Sequence, residues 1–271
     1  MDASGVTQQP RTRPGRRGSV GLFLVGMVGV LAAVPLVMGL VDDLLTTMPD
    51  IPELPYAVLV ALALVNPLLL LALGTLAGAT LAHRVGLRSR LAERLGGAPV
   101  AWTEVCTGWR LGIAVGIGVG VALVVLDALT LPLLGPEGAA LAVLEDRGVL
   151  LTVAGVLYGG VTEEIMLRWG LMSLLAWLGW RLTGAATTGP ATAVMWVAIV
   201  LTAVTFGALH LPTVGAITSV TVAVALRTVL LNALGGVAFG WLFWRRGLEA
   251  AMIAHAVAHL AMTAVAIVVG G

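Results

Sequence analysis

Two carboxylates and a guanidinium, Glu163, Glu164 and Arg168, stand within six residues of one another in an otherwise apolar stretch. An ionised side chain taken out of water is costly unless it is paired. Inside a membrane span, such a residue marks a functional site. On an α-helix, residues four apart share a face, so Glu164 and Arg168 are expected to pair. Glu163 then projects about 100° away and is free to face a cavity. Adjacent carboxylates repel, which holds a proton on one of them more readily and suits a general base. The plain alternative is a packing salt bridge between helices.

Three of the four histidines lie downstream, also in apolar surroundings. His210 follows Phe206 by four residues and precedes Pro212. His255 and His259 are four apart, which places two imidazoles on one helix face. Each could be a core histidine alone. Taken with the acidic pair, they point to one shared polar site within the bilayer.

Two chemistries fit such a site. In one, Glu163, His210 and His255 hold Zn2+, which acidifies a water while a second carboxylate acts as base. In the other, Glu163 and His210 activate water without a metal, and a neighbouring polar group stabilises the oxyanion. A His-Glu-x-x-His signature is absent. The spacing leaves both readings open.

The elements that must position these residues are membrane helices. The 271 residues are 59% hydrophobic and 11% charged, with a mean hydropathy of +1.04. That charge fraction is below half the usual soluble value of about 25%, which excludes a soluble globular protein. Period-two alternation, the mark of a membrane barrel, is not found. The fold class is therefore all-α, a polytopic bundle of seven or eight transmembrane helices. A formal net charge of +1 gives no reason to expect nucleic-acid binding. Cys106 is the lone cysteine and cannot form an internal disulfide.

Apolar runs of about 20 residues predict spans over 20–41, 56–81, 111–131, 149–180, 191–210, 216–244 and 248–269. An eighth arises if the sixth stretch divides at Arg227. The run 20–41 is long for a signal-peptide core and has no convincing cleavage site. Residues 1–19 read as a disordered tail, 20–148 as N-terminal transmembrane helices and 149–271 as a catalytic transmembrane core.

Arg11, Arg13, Arg16 and Arg17 precede the first span, and Arg84, Arg88, Arg90, Arg94 and Arg110 follow the second. Asp42, Asp43, Asp50, Glu53, Glu137, Glu145 and Asp146 fall in the alternate loops. The positive-inside rule then puts the N-terminus in the cytoplasm of a multi-pass protein of the cell membrane. Asp127 and His83 read as interfacial residues. Gly112, Gly116 and Gly120 read as a close-packing helix face.

In order, Glu163-Glu164-x-x-x-Arg168, Phe206-x-x-x-His210, and His255 with a polar residue four positions on resemble the motif set of the CPBP intramembrane proteases. That family comprises CAAX prenyl protease type 2-like and bacteriocin-processing (Abi) enzymes. Residues 240–255, Gly-Trp-Leu-Phe-Trp-Arg-Arg-Gly leading to Ala-Ala-Met-Ile-Ala-His, are similar to the family's approach to its last motif. The resemblance covers about residues 149–269. It implies that Glu163 activates water with His210 as partner, that His255 is the last-motif histidine, and that Glu164 and Arg168 support them. Where the family usually carries Asn or Asp, this chain has His259, at a position expected to help hold the oxyanion.

The expected function is an intramembrane endopeptidase that acts on a membrane-anchored peptide or protein within the lipid bilayer. The alternative is a catalytically inactive immunity or scaffold protein, or an ion carrier using the same buried charges. One tension stands in this reading. His255 lies roughly 12 Å in from the turn at Gly247 at about 1.5 Å per residue, whereas His210 falls at the far end of its span. Either that helix ends within the membrane, or the chain after Pro212 is a short re-entrant piece turning at Arg227.

Overall fold

The apolar runs fold as helices, and the computed structural model describes residues 14–47, 54–142, 147–184 and 189–270. No strand occurs among the described residues. α1 (Arg16–Thr47) packs antiparallel to α2 (Tyr56–Leu81), which continues through Pro67. A 3-10 turn (Ala82–Val85) leads to the short helices α3 (Arg90–Leu95) and α4 (Trp102–Val105). α5 (Trp109–Thr130) runs into a 3-10 stretch, Leu131–Leu141. α6 (Val149–Ala154) opens a continuous helical span, Val149–Leu182, that closes as α7 (Ser173–Leu182). α8 (Thr192–Leu209), α9 (Leu211–Ile217), α10 (Val222–Arg246) and α11 (Leu248–Gly270) complete the chain.

Seven helical stretches among the described residues are long and apolar enough to cross a membrane. Their outer faces carry exposed Leu31, Leu69, Leu73, Leu129 and Leu230, a surface suited to acyl chains. The chain is a multi-pass membrane protein. α1 begins at Arg16, inside the stretch expected to be tail. Arg11, Arg13, Asp50, Glu53, Glu145 and Asp146, used above to assign sides, lie outside the described residues.

Three expectations change. First, α10 runs unbroken through Arg227, so the sixth stretch is one span. Its guanidinium is ion-paired with Asp127 of α5, and its Nε donates to Thr130 Oγ1 at 3.0 Å. Asp127 is buried, not interfacial, because pairing with Arg227 offsets the loss of water. Second, residues 211–215, left between the fifth and sixth expected spans, form α9 with Pro212 in its first turn and extend the fifth span to Ile217; there the missing N–H of Pro212 removes no helical bond.

Third, the span that carries the acidic pair is not a plain α-helix. Residues Gly155–Glu163 and Ile165–Met172 are π-helical. Each N–H there reaches five residues back, which widens the turn; such segments occur often at functional sites. The 3.6-residue period assumed from sequence therefore fails where the chemistry is concentrated.

Candidate active site

The site is built around α11, which is held close on two sides by glycines. Gly112, Gly116 and Gly120 of α5 face the carbonyls of Ala250, Ala254 and Ala258. A Cβ at Gly112 or Gly120 would fall 2.9 or 2.7 Å from these oxygens. On another side, Gly155 and Gly159 of the π-helical run lie under the His259 ring, and Gly160 meets Ala256. A Cβ at Gly159 would stand 2.8 Å from His259 Nε2 and 3.3 Å from His255 Nε2. Glycine is required at both seams because any side chain would push the helices apart, as in small-xxx-small packing.

This approach lets α11 meet the acidic pair. His255 Nδ1 is 2.8 Å from Glu164 Oε1, and Arg168 Nη1 is 3.2 Å from the same oxygen. All three side chains are buried. The expected pairing of Glu164 with Arg168 thus exists. Arg168 also lies over the rings of Phe206 and Phe239, 5.0 and 5.6 Å from their centroids. Its Nη2 reaches Gly236 O at 3.4 Å. An ion pair and two aromatic faces together hold a cation that could not otherwise be buried.

His255 is fixed from both ring faces. It stacks on Phe239 at 4.7 Å and on His259 at 5.2 Å between centroids. Because Glu164 accepts from Nδ1, the neutral ring carries its proton there and leaves Nε2 bare. That bare nitrogen points to Glu163, whose Oε2 is 4.0 Å away. Glu163 is half-buried and, unlike Glu164 Oε2, neither of its oxygens is sealed without a partner.

His210 joins from the end of α8. Its Nδ1 bonds to Phe206 O at 2.8 Å, so the ring turns back one helical turn. It meets the Phe206 ring edge-on at 4.7 Å, and Phe206 meets His255 at 5.9 Å. The helical span runs on past His210 to Ile217, so His210 lies within it, and no chain reversal at Arg227 is needed to bring it to the cluster. His210 interacts electrostatically with both His255 and His259.

His259 shares the face of His255, as their spacing predicts. Its Nδ1 is buried without a partner. Its backbone carbonyl accepts from Arg147 Nη1 at 3.5 Å and from Thr263 Oγ1 at 3.1 Å. His83 lies in the 3-10 turn after α2, away from this cluster in the chain, and Cys106 is exposed.

Among the described residues, no three His, Cys, Asp or Glu side chains are grouped so as to hold a metal ion. Of the suggested set Glu163, His210 and His255, one nitrogen of each histidine is engaged by Glu164 or by Phe206 O. These side chains, as placed, do not form a coordination shell, and no step is derived through a metal.

Sequence reasoning overlooked Phe239, the glycine cradle and the Asp127–Arg227 pair. The cradle had a readable signal, Gly155 and Gly159 four apart. The pair had none, since its members lie 100 residues apart.

No curated protein and no solved structure matches the chain. Residues 146–261, which contain all six of Glu163, Glu164, Arg168, His210, His255 and His259, match the family described as Type II CAAX prenyl endopeptidase Rce1-like. Over this stretch, under half of its length, the chain is similar to the Rce1-like type II CAAX prenyl endopeptidase family.

Proposed function

We propose that the chain is an intramembrane endopeptidase in which Glu163 activates water against a peptide bond of a membrane-anchored substrate. The observation that carries this reading is the pair Glu163 and His255. A carboxylate oxygen and a bare imidazole nitrogen face one another across 4.0 Å, a gap that one water can bridge.

Glu163 takes a proton as the water oxygen attacks the carbonyl carbon. The tetrahedral oxyanion is met by a donor, for which His259 N–H is positioned on the same face as His255. The C–N bond then breaks as the proton passes from Glu163 to the leaving amine. His255 accepts a hydrogen bond from the same water at Nε2, while Glu164 holds its tautomer and orientation, as a carboxylate does for a catalytic histidine. His210, at the end of α8, is the histidine that the family resemblance pairs with Glu163 in activating water.

The family description supports prenylated C-terminal peptides as the first substrate class to try; bacteriocin-type leader peptides are the second. The arginine-rich loops support a cytoplasmic N-terminus in the cell membrane. Purified protein in lipid is expected to release the C-terminal fragment of a prenylated peptide. Metal content measured alongside distinguishes the routes: full activity with no bound metal supports direct activation, and loss of activity with Zn2+ removal and its return with Zn2+ supports the metal route.

A further inference from the structure

We propose that Tyr158 is a further catalytic residue, whose phenolic O–H donates to the oxyanion that forms as water attacks the peptide carbonyl; this rests on the endopeptidase reading above. The warrant is the winding of the helix. Tyr158 precedes Glu163 by five residues, and both lie in the π-helical segment Gly155–Glu163. In an α-helix, residues five apart diverge around the axis. Where each N–H bonds five residues back, the wider turn brings them closer around the axis. The widened helix therefore sets Tyr158 and Glu163 on one face, while Gly155, Gly159 and Gly160 turn towards α11.

Two observations fit this placement. Tyr158 is close enough to Glu163 for the two to interact electrostatically. Its side chain is half-buried, and its hydroxyl, unlike Nδ1 of His259, is not sealed without a partner. A phenol within an apolar span ordinarily finds a hydrogen-bond partner; here it opens beside the carboxylate that would activate water.

The site also lacks donors. Nε2 of neutral His255 is bare, Arg168 is buried behind Phe206 and Phe239, and a neutral His259 has a single N–H. Oxyanion stabilisation works through converging donors, and Tyr158 O–H supplies a second one.

The test is Tyr158→Phe, which keeps the ring and its packing, assayed beside Glu163→Gln on the same membrane-anchored peptide. The expected result is a fall in kcat of about a hundredfold with KM within about twofold, as for loss of one oxyanion donor. An unchanged thermal midpoint separates this from misfolding. As a second readout, a phosphinate peptide, whose tetrahedral centre imitates the oxyanion, should bind Tyr158→Phe about a hundredfold more weakly. Binding of an uncleaved N-methyl amide peptide should not change. A kcat within twofold of wild type for Tyr158→Phe, with Glu163→Gln inactive, overturns the role of Tyr158 alone. Full activity of Glu163→Gln removes the endopeptidase reading and this inference with it.

Discussion

Nδ1 of His255 lies 2.8 Å from Oε1 of Glu164, and that one contact joins α11 to the π-helical span and fixes which imidazole nitrogen faces Glu163. Glu164 is also the sole carboxylate ion-paired with buried Arg168 among the described residues. It therefore has two duties, one to the histidine and one to the cation, and substitutions can separate them.

Glu164→Gln should lower kcat about 10³- to 10⁴-fold, by analogy with the loss of the carboxylate that orients a catalytic histidine. It should also destabilise the fold by about 3–5 kcal/mol, because Arg168 is left buried and uncompensated. Glu164→Gln combined with Arg168→Met should regain much of the stability and none of the activity. Thermal unfolding and peptide cleavage on the same samples measure both effects.

The glycine cradle predicts a size-dependent rescue. A Cβ at Gly155 would run into Nδ1 of His259, so Gly155→Ala should reduce activity and stability, the latter by about 1–3 kcal/mol. Gly155→Ala with His259→Asn should restore stability, because the smaller amide vacates that space. His259→Asn alone should retain cleavage, since the amide is also a donor. Strong loss from His259→Asn would point instead to a function specific to imidazole.

How much of this was legible in the sequence depended on the distance of each interaction along the chain. The spacing of Glu164 and Arg168, of Phe206 and His210, and of His255 and His259 showed which residues could share a helix face. Apolar run length located seven spans, because a bilayer leaves backbone groups no partner outside a helix. The depth of His210 was misjudged because its span was taken to end there, whereas the helical span continues to Ile217. The widening between Gly155 and Met172 was invisible because its residues look like those of any apolar helix. Asp127 read as interfacial and Arg227 as a possible turn, and only the packing of α10 on α5 shows them as a pair.

That buried pair gives a third prediction. Asp127→Asn or Arg227→Met alone should cost about 3–5 kcal/mol of stability, since each breaks a buried ion pair from one side. Asp127→Asn with Arg227→Met should cost clearly less than the sum of the two single replacements. Thermal midpoints of the four proteins in one lipid mixture close the cycle.

The orientation gives a fourth. With Cys106→Ser as background, Leu182→Cys and Val222→Cys place thiols at exposed positions at opposite ends of the bundle. A membrane-impermeant maleimide applied to intact cells should label the cysteine at position 222 and not that at 182. The reverse pattern would invert the orientation, and labelling of both would break the span count between them.

The central claim is that Glu163, standing unbonded before the histidine that Glu164 holds, activates the attacking water. The direct measurement is cleavage of a prenylated, membrane-anchored peptide by purified Glu163→Gln, with thermal unfolding as a check on the fold. The account predicts cleavage at background while the thermal midpoint stays within a few degrees of wild type. A Glu163→Gln protein that cleaves at the wild-type rate would contradict it.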